Sequence, residues 1–347
     1  MAAPELRTQN RTAYFRKAIH TPDFGSESVL TRDAFTFVEL WLRRNCQDAL
    51  PYWTQAKNYY EGSKSLPPES SPLTLYYSFL NAAKALLTVK GVKFAELHGV
   101  SGEFDPTSRR ALSNEVVKFQ NSGIVSALAT YLGEPEPKTD HSMKELLGNL
   151  PYIHRAFRHT YASQTELFIP LVKPVYRQHP TDAYVWFSAE VQGRFADKRT
   201  MRALPDRFEV DAGWEGKCVI RTKKRVKWCK RGDSKDDRDA AWKRLCHLHK
   251  TTRLDVKFIS GALDYWYLKR PGSPTAPIRR YDMTIAMAAM HRLSELSRYD
   301  PRGLVRYLEG KENWLISEFI QLAPRQFLDE LVCEMTSLEV RLPGVRP

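Results

Sequence analysis

The chain has 347 residues, is 42% hydrophobic and 12% aromatic, and carries a formal net charge of +13. Such a length and composition allow a large buried core and exclude disorder as the default state. No apolar run reaches the roughly 18 residues of a membrane-spanning helix, and the charge excess favours an acidic partner, nucleic acid above all.

The opening MAAPELRTQNRTAYFRK lacks the apolar stretch and small-residue cleavage site of a secretory leader, so a cytoplasmic protein is expected. Residues 1–30 read as a polar, turn-rich arm with Pro22, Gly25 and Ser26. From Thr31 a helical period begins, with Phe35, Val38, Leu42, Cys46 and Ala49 on one face. Pro51 should kink or restart that helix, and WTQAKNYYEG carries it to Gly62, a suitable C-cap. SKSLPPESSP is a loop. The next helix has Ser71 as N-cap and Pro72 in its first turn. Its stripe is Leu73, Tyr76, Tyr77, Leu80, Ala83 and Leu87, widened by Phe79, Ala82 and Leu86, and Gly91 ends it.

Residues 92–164 are mixed. VVKFQNSGIVSAL fits a short strand or helix around Gly123, and SMKELLGNLPYIHRAFRHTYA gives one or two short helices broken at Pro151. From about residue 165 the segments LFIPLVKPVY, AYVWFSAEVQG, RFEVDAGW, KCVIRTKKRVKWC and LDVKFISGALDYWYL have the Val, Ile and aromatic content of strands. KRGDSKDDRDAAWKRLCHLHKTTR interrupts them as a charged loop with room for a short helix. Helices return in MTIAMAAMHRLSELSRYD, PRGLVRYLEG, ENWLISEFIQLA and PRQFLDELVCEMTSLEV. The resulting division is an arm over 1–30, a helical part over 31–164, a β-rich basic insertion over 165–275, and a C-terminal helical part over 276–347. This order predicts an α+β fold. Either the two helical parts complete one bundle around the insertion, or the chain forms separate domains.

The stretch from Leu73 to Gly102, LTLYYSFLNAAKALLTVKGVKFAELHGVSG, resembles the core of HEPN-type helical domains. Together with WTQAKNYYEG, the LHG of Leu97 to Gly99 and the LSELSRYDP of Leu293 to Pro301, it more closely resembles the bacterial YaaC-like family. The HEPN resemblance implies a helical-bundle core, a homodimer, a setting in stress or antiviral defence, and a metal-independent endoribonuclease with Arg-x(4–6)-His on a helix. In such a pair His shifts a proton at the RNA 2′-hydroxyl and Arg stabilises the crowded phosphate. That spacing occurs at Arg244 and His249. Arg155 and His159 are one residue too close, yet on a helix they share a face. With His154 and Arg158 they make a basic cluster suited to phosphate, or simply a solvated face. His98 is expected to be structural, capping its region or bonding a backbone carbonyl, and Arg298 to pair with a carboxylate at a helix end.

RTKKRVKWCKR, residues 221–231, concentrates cations. On a strand, Arg221, Lys223, Arg225 and Lys227 would share one face. With Lys230 and Arg231 they could follow a phosphate backbone while Trp228 stacks on a base. The competing reading is a solvated hairpin balanced by the acidic DSKDD that follows. The five cysteines, Cys46, Cys218, Cys229, Cys246 and Cys333, include no CxxC pair, so reduced thiols are expected. Cys229, Cys246, His247 and His249 lack the spacing of a standard zinc finger. No phosphate-loop, dinucleotide, HExxH or GxSxG motif is present, and neither metal nor cofactor is expected.

The function these features favour is nucleic-acid binding, RNA first, with hydrolysis assignable to Arg155 and His159 or to Arg244 and His249. The alternatives are a non-catalytic subunit whose basic surface docks an acidic protein, and a nucleotide-binding sensor.

Overall fold

The computed structural model describes residues 3–8, 10–105, 107–163, 167–230, 232–261, 265–271, 277–341 and 343. Strands β1 (Arg7–Thr8), β2 (Arg11–Thr12) and β3 (Val29–Leu30) come first, followed by helices α1 (Ala34–Asn45), α2 (Leu50–Ser63) and α3 (Ser71–Val89). Then come β4 (Val100–Glu103), β5 (Val116–Phe119), α4 (Ile124–Leu132), β6 (Asp140–Ser142), α5 (Met143–Gly148) and α6 (His154–Thr160). The longest strands, β7 (Phe168–Gln178) and β8 (Tyr184–Val191), precede α7 (Lys198–Arg202), β9 (Phe208–Val210), β10 (Val219–Thr222) and β11 (Val226–Lys227). They are followed by α8 (Lys235–Arg253), β12 (Val256–Ile259) and β13 (Tyr265–Lys269), and then by α9 (Asp282–Tyr299), α10 (Pro301–Glu309), α11 (Asn313–Thr336) and β14 (Val340–Arg341). The chain divides into two compact units: a sheet unit of residues 1–30, 167–272 and 337–347, and a helical unit of residues 31–166 and 273–336.

In the sheet unit the strands run β12-β13-β7-β8-β10-β9, with β11 also paired to β8, and every pair is antiparallel. The period of two sends Val185, Phe187, Ala189 and Val191 of β8 into one core with Ile169, Leu171 and Tyr176 of β7. β7 contains two prolines. Its register slips between Val172 and Val175, where Lys173 has φ 52°, so Pro174 sits in a bulge whose ladder is already interrupted. Residues 1–30 are not a free arm. Leu6, Ala13, Phe15 and Phe24 are core residues, and the Leu6 amide donates to Tyr176 O at 2.8 Å. β3 pairs in parallel with β14, Val29 opposite Val340.

The charged segment expected as a loop with room for a short helix is instead dominated by the 19-residue helix α8. Ser234 caps it through the Asp237 amide, Asp236 and Asp237 favour its N-terminus, and Lys250 and Arg253 favour its end. Ala241, Leu245, Leu248 and Thr252 recur on its buried face. Charge density hid that stripe, because the polar positions between are nearly all ionic.

In the helical unit α3 lies among α2, α9 and α11, and its small Ala82, Ala83 and Ala85 are fully buried. Phe79 stacks on Phe327 of α11 at 4.2 Å, and the Trp53 indole N–H donates to Phe35 O at 2.9 Å. α11 is one helix of 24 residues with Pro324 inside it, where the sequence predicted a break. A mid-helix proline costs about 3 kcal/mol; here the buried row Phe319, Ala323, Phe327 and Leu331 holds the helix together across it. Near Gly123 the strand and the helix both exist, as β5 and α4, and β4, β5 and β6 form a small antiparallel sheet.

The expected α+β arrangement, an HEPN-like helical bundle carrying a β-rich insertion, is therefore overturned. The chain is a mixed helix-and-strand protein with a curled antiparallel sheet, not a protein with a helical-bundle core. The physical reason lies in the strands. Together with Phe15, Phe24 and α8 they bury an aromatic core of their own, so the β segments form a packed unit rather than an appendage.

Candidate functional site

Charge is divided unevenly between the units. The sheet unit holds 30 of the 53 Lys and Arg residues and 17 of the 40 Asp and Glu residues, so the whole +13 excess lies there and the helical unit is balanced. Within the sheet unit is a cavity of about 380 Å³ lined by Arg207, Phe208, Thr222, Lys223, Lys224, His247, Leu248, Thr251 and Thr252. Four of these side chains are basic and none is a carboxylate. Arg207 precedes β9, Thr222 ends β10, Lys223 and Lys224 lie in the link to β11, and the other polar groups come from the last turns of α8. Burial first, and then the fields of Lys224, Lys250 and Arg207, hold the His247 imidazole below its ordinary pKa.

The predicted row of cations is split. Lys223, Arg225, Lys227 and Lys230 are exposed, and Lys223, Lys224, Lys227 and Lys230 form no ion pair among the described residues. Arg221 is half-buried, with its Nε 2.8 Å from Glu209 and its Nη1 3.6 Å from Asp211. Arg225 approaches Glu209 at 3.9 Å, and both guanidiniums lie over the Trp186 ring. Strand alternation fails because β10 ends at Thr222 and β11 begins at Val226, both buried. Trp228 is half-buried against the core with its ring 6.5 Å from Trp242, so it is not an open stacking platform. Arg231 lies outside the described residues.

Arg244 and His249 are not brought together. Both are on α8, but Arg244 is exposed and donates from Nε to Lys227 O at 3.0 Å, whereas His249 is fully buried. His249 Nε2 meets Ala18 O at 2.7 Å and Nδ1 meets the Tyr176 hydroxyl at 2.8 Å. With both nitrogens engaged it has no access to a substrate proton. Among the described residues no three His, Cys, Asp or Glu side chains gather as metal ligands, and in particular Cys229, Cys246, His247 and His249 do not.

In the helical unit, Arg155 and His159 lie one turn apart on α6, both exposed, with Arg158 half-buried between them. The His159 ring sits edge-on to Trp314 at 5.1 Å. His154 points inward, and its Nδ1 lies against Pro151 O.

A second polar cluster in this unit was not foreseen. The Tyr76 hydroxyl bonds His98 Nδ1 at 2.8 Å, and the rings of His98 and His291 are 5.3 Å apart. His291 Nδ1 is buried, makes no hydrogen bond, and lies 3.8 Å from Glu295. Burial, then the fields of His98, Arg292 and Arg298 working against Glu295, push His291 down to about 4. Among the described residues Arg298 pairs with no carboxylate; its guanidinium covers the Tyr299 ring at 4.7 Å. His98 binds a tyrosine hydroxyl rather than a carbonyl, while its own carbonyl and that of Leu97 accept the Val125 and Ile124 amides at the start of α4. Two glycines make this possible: a Cβ at Gly123 would strike the Gly99 backbone, and one at Gly99 would crowd the Ser126 amide at 3.0 Å. Beneath, Glu115 is fully buried between Arg292, at 2.7 Å, and the Tyr307 hydroxyl, also at 2.7 Å. Tyr59 stacks on Tyr77 at 5.4 Å. The sequence elements WTQAKNYYEG, YYSFLNAAKALL, LHG and LSELSRYDP, distant in the chain, thus converge on one place.

These features define a mixed helix-and-strand protein of two units, one basic and one charge-balanced, with four sequence elements meeting in the second. A family model described as YaaC-like Protein matches residues 13–335, and the chain belongs to that family. No curated protein and no solved structure matches the chain. Among the described residues no helix is long and apolar enough to cross a membrane.

Proposed function

We propose that this protein binds nucleic acid through its sheet unit, with single-stranded RNA the favoured ligand. The observation that carries this reading is the confinement of the whole +13 excess to one unit, where Lys223, Lys224, Lys227 and Lys230 stand exposed without carboxylate partners. Cations already neutralised by carboxylates add little to binding a polyanion; unpaired ones release counterions from the strand when they reach its phosphates. Arg221 belongs to the first kind, the four lysines to the second.

The test is retardation of labelled single-stranded RNA and DNA by the full chain at two salt concentrations, beside the double variant Lys223→Glu, Lys224→Glu. Binding that weakens steeply with salt and is lost in the variant is expected. Absence of retardation at low salt overturns the reading and turns attention to an acidic protein partner, whose docking would show a fixed stoichiometry and apolar anchors.

A further inference from the structure

We propose that the cavity between β9, the β10–β11 link and the end of α8 holds one phosphorylated nucleoside, free or at the end of a strand, a proposal that rests on the reading of the sheet unit as a nucleic-acid binder. Three observations converge on this class of ligand.

The first is size. A cavity of about 380 Å³ falls within the roughly 300–1,000 Å³ of small-molecule sites. It suits one nucleotide rather than a length of strand.

The second is the placement of charge. Lys223 and Lys224 line the cavity with neither side chain in an ion pair among the described residues. Arg207 lines it while sharing Asp255 at 3.7 Å and donating to Thr251 O at 2.9 Å. The C-terminal end of α8 opposes an anion with about half a negative charge. The two unpaired lysines outweigh it, with Arg207 shared between the cavity and Asp255, and His247 can add a further charge once an anion offsets the field on it.

The third is hydrogen-bond polarity. The Thr222 hydroxyl donates to Lys224 O, the Thr251 hydroxyl to His247 O and Leu248 O, and the Thr252 hydroxyl to Leu248 O. Each threonine has its single hydroxyl proton committed, and Thr222 Oγ1 already accepts the Phe187 amide at 3.2 Å, so towards the cavity Thr251 and Thr252 can only accept. Beside these acceptors stand Phe208 and Leu248. The walls therefore match a ligand with an apolar face, hydroxyl or amino donors, and a phosphate at one end. Inorganic phosphate alone would satisfy only the cations.

The test uses the full chain and a pair of single-stranded RNAs of one sequence, one with a 5′-phosphate and one with a 5′-hydroxyl, with AMP, adenosine and inorganic phosphate as competitors. Tighter binding of the phosphorylated strand by at least about tenfold, displaced by AMP but not by adenosine, supports a strand end. AMP binding with equal affinity for the two RNAs supports a free nucleotide. The exposed His247→Ala variant, which leaves all four lysines in place, should weaken the preference, or the AMP binding, while keeping the affinity for the 5′-hydroxyl strand. As a separate readout, AMP should raise the pH at which the His247 ring protons titrate. Equal binding of both strands with no AMP binding overturns the proposal and leaves nucleic-acid binding intact. Loss of all RNA binding overturns the parent reading instead.

Discussion

The Tyr176 hydroxyl and His249 Nδ1 meet at 2.8 Å in the closed interior of the sheet unit. Because His249 Nε2 lies 2.7 Å from a backbone carbonyl, that of Ala18, its proton sits on Nε2 and Nδ1 accepts from the tyrosine. The imidazole is a neutral brace tying the N-terminal segment to α8 and β7.

Burial pushes the His249 pKa down to about 3. An unfolded chain takes up this proton near pH 6.5, so the folded state binds fewer protons between those values. The contribution is fully present above about pH 6.5 and is lost as the pH falls towards 3, at no more than about 1.4 kcal/mol per pH unit. Urea denaturation at pH 7, 5.5 and 4.5 should show a smaller loss of stability on acidification for His249→Gln than for the parent chain. Identical pH dependence in the two would sink this account.

Removal of Glu115 should be severe. Its carboxylate is fully buried and receives Arg292 at 2.7 Å, Tyr307 at 2.7 Å and Arg110 at 3.4 Å. Glu115→Ala takes from the buried Arg292 guanidinium the nearer of its two carboxylates, leaving Glu295 at 2.9 Å, and should cost about 3 kcal/mol. Tyr307→Phe removes one hydrogen bond and should cost about 1 kcal/mol. Equilibrium unfolding in urea ranks the two, and an alanine variant no weaker than the phenylalanine one contradicts the assignment.

Two neighbouring cations should behave differently on RNA. Arg221 is held by Glu209 and Asp211, whereas Lys223 has no ion pair among the described residues. Lys223→Gln should lower the slope of log K against log salt by up to about 0.7 for a single strand. Arg221→Gln should leave that slope nearly unchanged. Equal changes in both slopes would show that the ion pairs do not matter.

Gly123 has φ 119°, and a Cβ there would lie 2.4 Å from the Gly99 amide nitrogen. Gly123→Ala should therefore lower stability by at least about 1–3 kcal/mol, where Gly62→Ala, with open space around it, should be neutral or mildly stabilising. Thermal melts of the two variants decide it.

Much of the secondary structure was legible where one period dominated. The stripe of α3 and the alternation in β8 are of this kind. α8 was obscured because its apolar positions are few and its surface charges many. Pro324 misled because a local rule for proline takes no account of the buried row of side chains that anchors the helix on either side of it. As for the sites, lysines without carboxylate partners could be suspected from composition, but the neutralisation of Arg221 depends on Glu209 across the sheet, which no spacing reveals. Arg244 and His249 matched a catalytic spacing, yet a helix turns five residues through more than a third of a circle, and that rotation sends one side chain outward and the other into the core. The cluster of Tyr76, His98 and His291 required three segments to be brought together; the resemblance covered Tyr76 and His98, but its LSELSRYDP element begins at Leu293, after His291.

The parallel pairing of Val29 with Val340 has a consequence for how the molecule is made. On the ribosome, the first thirty residues emerge long before the strand that completes their pairing. Meanwhile Phe15 and Phe24 must wait, exposed, for β7, β8 and α8 to be translated, and β3 must wait longer still. The helical segment of residues 31–166 has no such delay for its α2–α3 contact, which is local. Early folding should thus begin within α1 to α3, with the sheet unit closing late and slowly because its contacts are so distant in the chain. A chaperone acting on this chain would be needed most for its opening segment.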